Sequence, residues 1–222
     1  MSRVLVLAVH PDDETLGCGG ALLKHSASGD ECHWLIATSM KRGERFSGRE
    51  MLRRDKEIKK VAEMYSFRGV HKLDLPTMMT DTVPMAKIVS TVAAVMQKVR
   101  PEIMYIPFIG DTHSDHRVLA HAACSCAKTF RSPFLRRVLM METLSETEFA
   151  PGLGGLAFIP NYFVDITPFL QRKSDIMRLY VSETAAHPFP RSEQNIKALA
   201  SFRGATANCG YAEAFMLLKE LA

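Results

Sequence analysis

Residues 3–20, RVLVLAVHPDDETLGCGG, contain the strongest indication of the fold class. The run from Val4 to Val9 is apolar and rich in valine and leucine, which is typical of a buried parallel strand. Pro11 cannot donate a hydrogen bond to a sheet, so the strand is expected to end beside His10. In an open parallel sheet, ligands bind at the carboxyl ends of the strands. The motif HPDDE therefore delivers one imidazole and up to three carboxylates to the expected crevice.

A simpler interpretation of the acidic residues is that they cap the helix that begins near Leu16. Aspartate is a good N-cap, and acidic side chains are favourable near a helix N-terminus. Capping requires only one aspartate, however, and does not explain a histidine at the end of the strand. The combination of His10 with Asp12 and Asp13 therefore favours a metal-binding or catalytic site.

Strands and helices alternate along the first half of the chain. Apolar strand segments at residues 32–38, 70–73 and 103–107 are separated by amphipathic helices at 49–65 and 82–99. Each connection is long enough for a crossover helix, so the pattern predicts a parallel, doubly wound sheet. We therefore expect an α/β fold, Rossmann-like, with a mostly parallel sheet, helices on both faces and the active site at the carboxyl ends of the strands.

The second half of the chain gives weaker signals. The expected elements are strands at 137–141 and 162–165, a helix with Pro168 in its first turn that runs to Tyr180, and helices at 193–202 and 211–221. No linker, repeat or low-complexity segment interrupts the chain. We therefore expect a single domain over residues 1–222.

Composition and charge argue against several classes of protein. The 222 residues are 47% hydrophobic, which is enough to bury a sizeable core. The net charge is +4, from 28 Lys and Arg against 24 Asp and Glu, and no long basic run indicates nucleic-acid binding. Five scattered cysteines favour a reducing, cytoplasmic location over a disulfide framework. No stretch has the length of a membrane span, and the first apolar run is too short for a signal peptide.

A second polar cluster, DTHSDHR, follows the fourth expected strand. It contains His113, Asp115 and His116. Taken alone, these residues could equally well be polar side chains at the start of a helix, without a role in a functional site. Because parallel strands end at the same edge of a sheet, this cluster should face HPDDE. The two strand ends then offer His10, Asp13 and His116, and two histidines with one carboxylate form the ligand pattern of a catalytic zinc site. Non-haem iron uses the same ligand set, so the ligands do not fix the metal.

Together, HPDDE after an N-terminal strand and HSDH after the fourth strand resemble the motifs of the PIG-L/LmbE family of zinc-dependent deacetylases. Members of that family act on N-acetylglucosamine-type sugars and related conjugates. The resemblance covers most of the chain and extends to weaker features, namely Arg54 and Glu57 in the second helix and RG…YAEAF at Arg203, Gly204 and residues 211–215. Tyr211 and Glu213 in the last segment are best explained by packing in a C-terminal helix.

Three positions depart from the family pattern without removing an expected metal ligand. Ser114 occupies the place of a proline, and Asp111 occupies the place of a tyrosine that some members carry two residues before the first histidine. The glycine that usually ends the second helix is displaced, and Tyr65, Ser66 and Phe67 stand in that region. The missing tyrosine leaves open which group assists the oxyanion.

The resemblance implies a role for the residues at the centre of the two motifs. His10, Asp13 and His116 resemble the zinc ligands, and Asp12 resembles the general base that takes a proton from water. Zinc lowers the pKa of a water molecule that it binds to about 7, which makes that water a nucleophile near neutral pH. The alternative role for Asp12 is that of a second carboxylate ligand.

The resemblance also implies roles around this centre. His113 resembles the group that stabilises the oxyanion or protonates the leaving amine. Asp115 is expected to hold the ring of His113 and to favour its imidazolium form. Arg54 matches a substrate-binding position of the family, although a solvated helix charge would explain it equally well. The basic loop at residues 41–45 could bind a phosphate on the substrate or be solvated, and His187 in the proline-bounded AHPFPR loop could line the crevice.

These assignments predict a hydrolase that uses Zn2+, or Fe2+ or another divalent metal, to remove an acetyl group from an N-acetylated amino sugar, sugar conjugate or sugar nucleotide. The alternatives are an amide hydrolase acting on a thiol-sugar or antibiotic-precursor conjugate, and a non-catalytic metal-binding domain. A phosphoesterase usually requires two metals and more ligands, and a dinucleotide-binding domain requires a GxGxxG fingerprint that this sequence lacks. The expected partner is a small N-acetylated molecule rather than nucleic acid or a membrane, and the resemblance also suggests a homo-oligomer.

Overall fold

A computed structural model of the protein describes residues 1–40, 46–150 and 156–222. Within these residues the chain forms seven strands and six α-helices. The strands are β1 (Arg3–Ala8), β2 (Glu31–Ser39), β3 (Gly69–Pro76), β4 (Ile103–Ile106), β5 (Arg137–Met141), β6 (Tyr162–Asp165) and β7 (Ala212–Glu220). The helices are α1 (Asp13–Ala27), α2 (Gly48–Tyr65), α3 (Met85–Val99), α4 (Ser114–Cys126), α5 (Leu170–Met177) and α6 (Glu193–Ala207). None of these helices is both long enough and apolar enough to cross a bilayer.

The seven strands of the described chain form one sheet with the order β3-β2-β1-β4-β5-β7-β6. The first five strands in this order are parallel to one another, and β7 runs antiparallel to both β5 and β6. The predicted Rossmann-like, mostly parallel sheet is therefore confirmed. The strand order reverses at β1, where Val4 pairs with Cys32 on one side and with Ile103 on the other. Such a switch point opens a crevice at the carboxyl ends of the strands.

Strand β1 lies between two hydrophobic layers. Val4, Val6 and Ala8 pack with residues of α1, α2, α5 and α6, whereas Leu5 and Leu7 pack with residues of α3 and α4. All five side chains are fully buried. Because helices cover both faces of the strand, its apolar run is continuous rather than alternating, and its polar continuation emerges at the carboxyl edge of the sheet.

Three helices predicted in the second half of the chain differ from the structure, and one of them, predicted at 193–202, extends to Ala207 as α6. The helix predicted for residues 211–221 is wrong, because Ala212–Glu220 form β7 between β5 and β6. By periodicity alone, an apolar run of this kind fits either a helix or a buried strand, and pairing with two strands decides the outcome. The helix predicted from Pro168 to Tyr180 is shorter, spanning Leu170–Met177. The backbone before it is held in a turn, since Asp165 Oδ1 accepts from the N–H and the hydroxyl of Thr167.

Helix α1 is interrupted at Cys18, whose φ of −147° is not helical. An interrupted helix leaves backbone N–H groups at the start of its second half without helical partners. Glu213 on β7 accepts such bonds, because Gly20 N–H and Ala21 N–H each donate to one of its carboxylate oxygens at 2.8 Å. Glu213, for which only packing was expected, therefore caps the second half of the helix that begins in HPDDE.

Lys173 on α5 completes this buried group. Its ammonium donates to the carbonyl of Leu16 at 2.9 Å and to Glu213 Oε1 at 2.7 Å. Both side chains of the pair are 6% exposed. Removal of either charge would leave the other buried without a partner, and an unpaired charge in the interior lowers the free energy of unfolding.

Replacing Lys173 with Met should lower the free energy of unfolding by about 3–5 kcal/mol, because the change leaves Glu213 buried without its cation. Urea unfolding followed by far-UV circular dichroism measures the effect. Lys197→Met is the matched control, since Lys197 forms an exposed ion pair with Glu193 that should contribute less than about 1 kcal/mol. Equal stability of the two variants would show that the buried pair does not anchor α1.

Candidate active site

The polar residues that follow β1 and β4 meet at the carboxyl edge of the sheet. The ring centroid of His10 lies 4.6 Å from that of His113 and 5.4 Å from that of His116. Strands β1 and β4 are neighbours in the sheet, and α4 begins within the second motif. The structure thus brings HPDDE and HSDH together, as the sequence predicts.

Three of these side chains, His10, Asp13 and His116, form a group that could hold a metal ion. Each offers one ligand atom, and these atoms all lie within 4.8 Å of one another. Asp13 Oδ2 is 3.3 Å from His116 Nε2 and 3.9 Å from His10 Nδ1. Burial acts to raise the pKa of Asp13, but His116 and then His10 lower it below the usual range through charge and hydrogen bonding. Asp13 is therefore a carboxylate despite its burial.

His116 has the contacts expected of a metal ligand. Its Nδ1 donates to Asp111 Oδ2 at 2.9 Å, and Thr147 Oγ1 donates to Asp111 Oδ1 at 2.7 Å. With the proton on Nδ1, Nε2 is free to bind a cation, and this buried atom has no well-formed hydrogen bond among the described residues. Burial acts to lower the pKa of His116, but the carboxylates of Asp13 and Asp111 raise it well above its usual value. The surroundings of Nε2 therefore favour a positive charge.

The carboxylate of Asp115 does not hold the ring of His113, in contrast to the prediction. Asp115 Oδ1 accepts from the N–H and the hydroxyl of Thr80 at 3.0 and 2.7 Å, and Oδ2 accepts from Met78 N–H at 2.6 Å. Oδ2 also lies 3.3 Å from His10 Nε2, which makes Asp115 the carboxylate partner of a candidate metal ligand. His10, His113 and Asp115 are also close enough to hold an ion, but both Asp115 oxygens already have donors.

The ring of His113 is fixed by a backbone group instead. Asp115 N–H donates to His113 Nδ1 at 3.1 Å, at the N-terminus of α4. Burial, followed by the charges of His10 and His116, lowers the pKa of His113 to about 4, although the charge of Asp115 opposes this shift. The predicted imidazolium is therefore not favoured, and the neutral ring carries its proton on Nε2.

Asp12 lies beside this cluster in an unusual backbone conformation. Its φ is 148°, a value that residues other than glycine rarely adopt. Arg191 Nη1 donates to Asp12 Oδ2 at 2.9 Å. Burial raises the pKa of Asp12 well above its usual value, the charge of Asp13 adds to this shift, and Arg191 opposes it. A raised pKa suits a general base, which is most efficient when its pKa approaches the working pH.

Glu14 is fully buried behind Asp12. Its Oε2 accepts from Asp12 N–H at 3.1 Å, and its Oε1 accepts from the hydroxyls of Thr15 and Tyr180 at 2.6 and 2.7 Å. Burial raises the pKa of Glu14 to about 7. The last residue of HPDDE therefore supports the motif from the protein interior and does not line the cavity.

Arg54 lies in the cavity wall, where a substrate-binding residue is expected, but its guanidinium is also bonded within the protein. Nη1 donates to the carbonyl of Pro11 at 2.7 Å, and Nη2 forms an ion pair with Glu183. Glu183 also lies 3.3 Å from Arg191. Arg54, Glu183 and Arg191 thus form a chain of alternating charge that ends on Asp12.

The site opens into a cavity of about 350 Å³. Such a cavity, mostly apolar with a few convergent polar groups, is typical of small-molecule sites. Its charged and imidazole groups are His10, Asp12, Asp13, Arg54, Asp55, Lys72, His113, Glu146, Glu183 and Arg191. Its large apolar side chains are Leu16, Ile36, Met40, Phe46, Met51, Ile58, Met78 and Leu144.

Five charged residues of the cavity were not predicted from the sequence, namely Asp55, Lys72, Glu146, Glu183 and Arg191. The AHPFPR loop was predicted to reach the crevice through His187, but His187 is exposed and lies outside the cavity wall. The residue of this loop that lines the cavity is Arg191, at its end, which contacts Asp12. Glu146 follows the end of β5, just as the two motifs follow β1 and β4, and burial raises its pKa. The basic residues proposed to bind phosphate, Lys41, Arg42 and Arg45, lie outside the described residues.

A family model described as PIG-L, GlcNAc-PI de-N-acetylase, matches residues 5–127, which is more than half of the chain. The matched range contains both HPDDE and HSDH. The chain belongs to the PIG-L family. The resemblance predicted from the two motifs is therefore confirmed.

Several known proteins are similar to this PIG-L family member. Diacetylchitobiose deacetylase from Thermococcus kodakarensis is 27% identical over 96% of this chain and 82% of its own. The structure of N,N'-diacetylchitobiose deacetylase from Pyrococcus horikoshii, complexed with its inhibitor MPG, has a TM-score of 0.78 and 21% identity, covering 98% of this chain and 84% of that one. GalB, the 4-carboxy-2-hydroxymuconate hydratase from Pseudomonas putida, has a TM-score of 0.73 and 19% identity, covering 100% and 98%. These two structures share the fold, which by itself does not determine the reaction.

We predict that the protein binds one divalent ion per chain and that His116→Ala loses most of it on dialysis, as measured by plasma mass spectrometry. Asp111→Asn should weaken metal binding by about 10–100-fold, because it removes the carboxylate that orients the ring. His121→Ala, on the exposed side of the same helix, is the control and should keep the metal. Unchanged metal content in His116→Ala would overturn the ligand assignment.

A second prediction concerns the stability of the metal-free protein against pH. Because burial raises the pKa of Glu14 from 4.5 to about 7, the folded protein still holds, between these two pH values, a proton that the unfolded chain has already lost. The contribution of Glu14 to the free energy of unfolding should therefore decrease as pH rises through this range, by at most about 1.4 kcal/mol per pH unit. Glu14→Gln should make the decline in stability with pH shallower by the contribution of Glu14, whereas the exposed Glu63→Gln should leave the decline unchanged. Identical slopes in urea-unfolding series of wild type and Glu14→Gln would contradict the prediction.

Proposed function

We propose that this protein is a metal-dependent amide hydrolase that removes an acetyl group from an N-acetylated amino sugar or sugar conjugate. The observation that carries the proposal is one carboxylate, Asp12, beside the candidate ligands His10, Asp13 and His116 in a single site. The family model is described as a de-N-acetylase, which supports the amide as the bond that is cleaved. The relative from Thermococcus kodakarensis supports the same reaction class.

The proposed cofactor is Zn2+, with Fe2+ or another divalent metal as the alternative, held by His10, Asp13 and His116. Two histidines and one carboxylate suit these metals. The buried Nε2 of His116 fits a cation, because it lies beside the carboxylate of Asp13 without a well-formed hydrogen bond. When bound, the metal would supply a Lewis acid that polarises the amide carbonyl and lowers the pKa of water.

Asp12 is the proposed general base. Arg191 occupies Oδ2, and no hydrogen bond to Oδ1 is found in the described parts of the chain, so Oδ1 can accept a proton from water in the cavity. The same carboxyl group can then return the proton to the leaving nitrogen. The alternative role for Asp12, that of a second carboxylate ligand, is less consistent with its ion pair to Arg191.

His113 is proposed to donate a hydrogen bond to the carbonyl oxygen as negative charge develops on it. Asp115 N–H occupies Nδ1, and the pKa of about 4 keeps the ring neutral near pH 7, so Nε2 carries the proton. This donor role replaces the imidazolium predicted from the sequence. Asp115 is proposed to orient His113 through its backbone and His10 through its carboxylate.

The proposed substrate is a small N-acetylated saccharide of the N-acetylglucosamine type. The cavity volume of about 350 Å³ lies at the lower end of the range for small-molecule sites. The relatives named above as deacetylases carry diacetylchitobiose in their names. Arg54 is the proposed substrate contact. Sugar nucleotides, thiol-sugar conjugates and antibiotic precursors are the alternative substrates, whereas the presence of both Asp12 and His113 argues against a non-catalytic domain.

We also propose three properties of the protein as a whole. A single domain over residues 1–222 is supported by the sheet, whose strands extend from Arg3 to Glu220. A cytoplasmic location is supported by the five cysteines, which are all free. A homo-oligomer is proposed from the family resemblance alone.

Purified protein supplied with Zn2+ should release acetate and a free amine from at least one member of a panel of N-acetylated substrates. The panel contains monosaccharides, disaccharides, sugar nucleotides and thiol-sugar conjugates, and fluorescamine detects the amine. Supplying Fe2+ under anaerobic conditions tests the alternative metal. Absence of amine release from the whole panel with both metals would contradict the proposed function.

Asp12→Asn should lower kcat by about 10²–10⁴-fold and keep the metal, because an amide cannot accept the proton from water. Metal content and kcat are measured on the same preparation. Asp81→Asn, which changes an exposed aspartate, is the control and should alter neither quantity. If Asp12→Asn instead loses its metal, Asp12 is a ligand and the base lies elsewhere.

A further inference from the structure

The backbone conformation of Asp12 requires support from its surroundings. Its φ of 148° and ψ of −26° lie outside the regions that L-residues readily occupy. Strain of this kind persists only where neighbouring contacts hold the residue, and it is concentrated at functional sites. Asp12 is 2% exposed, so these contacts come from the protein rather than from solvent.

Glu14 holds the backbone of Asp12. Asp12 N–H donates to Glu14 Oε2 at 3.1 Å, while the hydroxyls of Thr15 and Tyr180 fix the other oxygen of the same carboxyl group. Tyr180 is fully buried and lies 166 positions from Glu14, so the support is tertiary rather than local. The carbonyl of Asp12 is fixed as well, because Leu16 N–H donates to it at 2.9 Å.

Arg191 holds the side chain of Asp12 through the 2.9 Å bond from Nη1 to Oδ2. The guanidinium is itself held by Glu183, which lies 3.3 Å away and is also paired with Arg54. Because Arg54 donates to the carbonyl of Pro11, this network returns to the residue directly before Asp12. Asp12 is thus restrained through its backbone on one side and through its carboxylate on the other.

We propose that Glu14 and Arg191 are positioning residues that hold Asp12 in its strained conformation, Glu14 through the backbone and Arg191 through the side chain. The inference rests on the proposed role of Asp12 as general base. Arg191 keeps Oδ2 occupied and thereby leaves the other carboxylate oxygen for the proton of water. Neither Glu14 nor Arg191 belongs to the candidate ligand set; each is bonded to Asp12 and acts on the reaction through it.

A double-mutant cycle distinguishes positioning from other roles of Arg191. Arg191→Met should lower kcat by about 10–100-fold with little change in KM, because a misplaced reacting group affects the chemical step. In the Asp12→Asn background, where the base is already lost, Arg191→Met should cause no further loss. Arg191→Lys, which keeps the cation, should retain more activity than Arg191→Met.

An equal loss of kcat in both backgrounds would overturn the proposal, because Arg191 would then act independently of Asp12. A rise in KM alone would also overturn it, since Arg191 would then be a substrate-binding residue. Arg178→Met is the matched control, because Arg178 is an exposed arginine paired with Asp175 and Glu193, and its loss should leave kcat and KM unchanged. Metal content is measured for every variant and should stay at the wild-type level.

The backbone contact is tested by two substitutions of Glu14. Glu14→Met removes the acceptor for Asp12 N–H and should lower kcat by about tenfold, whereas Glu14→Gln keeps a carbonyl acceptor and should restore most of it. If Glu14→Met does not fold, Tyr180→Phe takes its place, since it removes one donor that fixes Glu14. Equal activity of Glu14→Met and Glu14→Gln, or of Tyr180→Phe and wild type, would overturn the role of Glu14.

Crystal structures of Arg191→Met and Glu14→Met give a measurement that is independent of substrate. In these variants the Asp12 carboxylate should turn, or its φ should leave the positive region. Retention of the wild-type conformation of Asp12 in both would overturn the proposal, whatever the protein hydrolyses. If Asp12 moves in the variants but the wild-type protein cleaves no amide, the proposed function fails and the positioning roles stand.

Discussion

The pairing of β1 with β4 is the contact on which the candidate active site depends. Strand β1 is covered on both faces, so its polar continuation emerges at the carboxyl edge, where β4 delivers the second motif. The result is a cluster of three histidines and several largely buried carboxylates, among them Asp12, Asp13, Asp111 and Asp115. Buried charges are stable only when they are paired and hydrogen-bonded. This requirement accounts for the ion pair between Asp12 and Arg191, and it favours a bound cation between His116 and Asp13.

Local signals in the sequence are sufficient to predict the fold class and the residues of both motifs. HPDDE and HSDH each follow an apolar strand, and parallel strands share an edge, so the meeting of the motifs can be inferred without coordinates. The role of Arg191 could not be predicted in this way, because Arg191 lies 179 positions from Asp12 and no pattern in the sequence links the two residues. The partners of Asp115 could not be predicted from the sequence for a related reason. Met78 and Thr80 lie in the connection between β3 and α3, and the amino-acid composition of a connection does not determine its path.

Two other features acquire a physical explanation only from the structure. Asp111 stands where some relatives are expected to carry a tyrosine, and here it accepts a hydrogen bond from His116. It therefore supports a candidate ligand and is not available as an oxyanion donor, which leaves His113 as the candidate donor. In the C-terminal segment, the apolar run is compatible with either helix or strand, and only pairing with β5 and β6 identifies it as β7. Glu213 could not be recognised as a cap because its partners are backbone N–H groups far away in sequence.

Two residues that stabilise the HPDDE segment, Glu213 and Arg191, lie far from it in sequence, and this separation limits when the site can form during synthesis. Gly20 and its cap Glu213 are 193 positions apart, and Asp12 and Arg191 are 179 positions apart. At about 5–20 residues per second, roughly 10–40 s separate translation of the motif from translation of β7. For most of this interval the nascent chain has His10, Asp12 and Asp13 but neither the cap on α1 nor the arginine that restrains the candidate base. The complete site, with both Arg191 and Glu213 in place, can therefore form only after β7 has been translated.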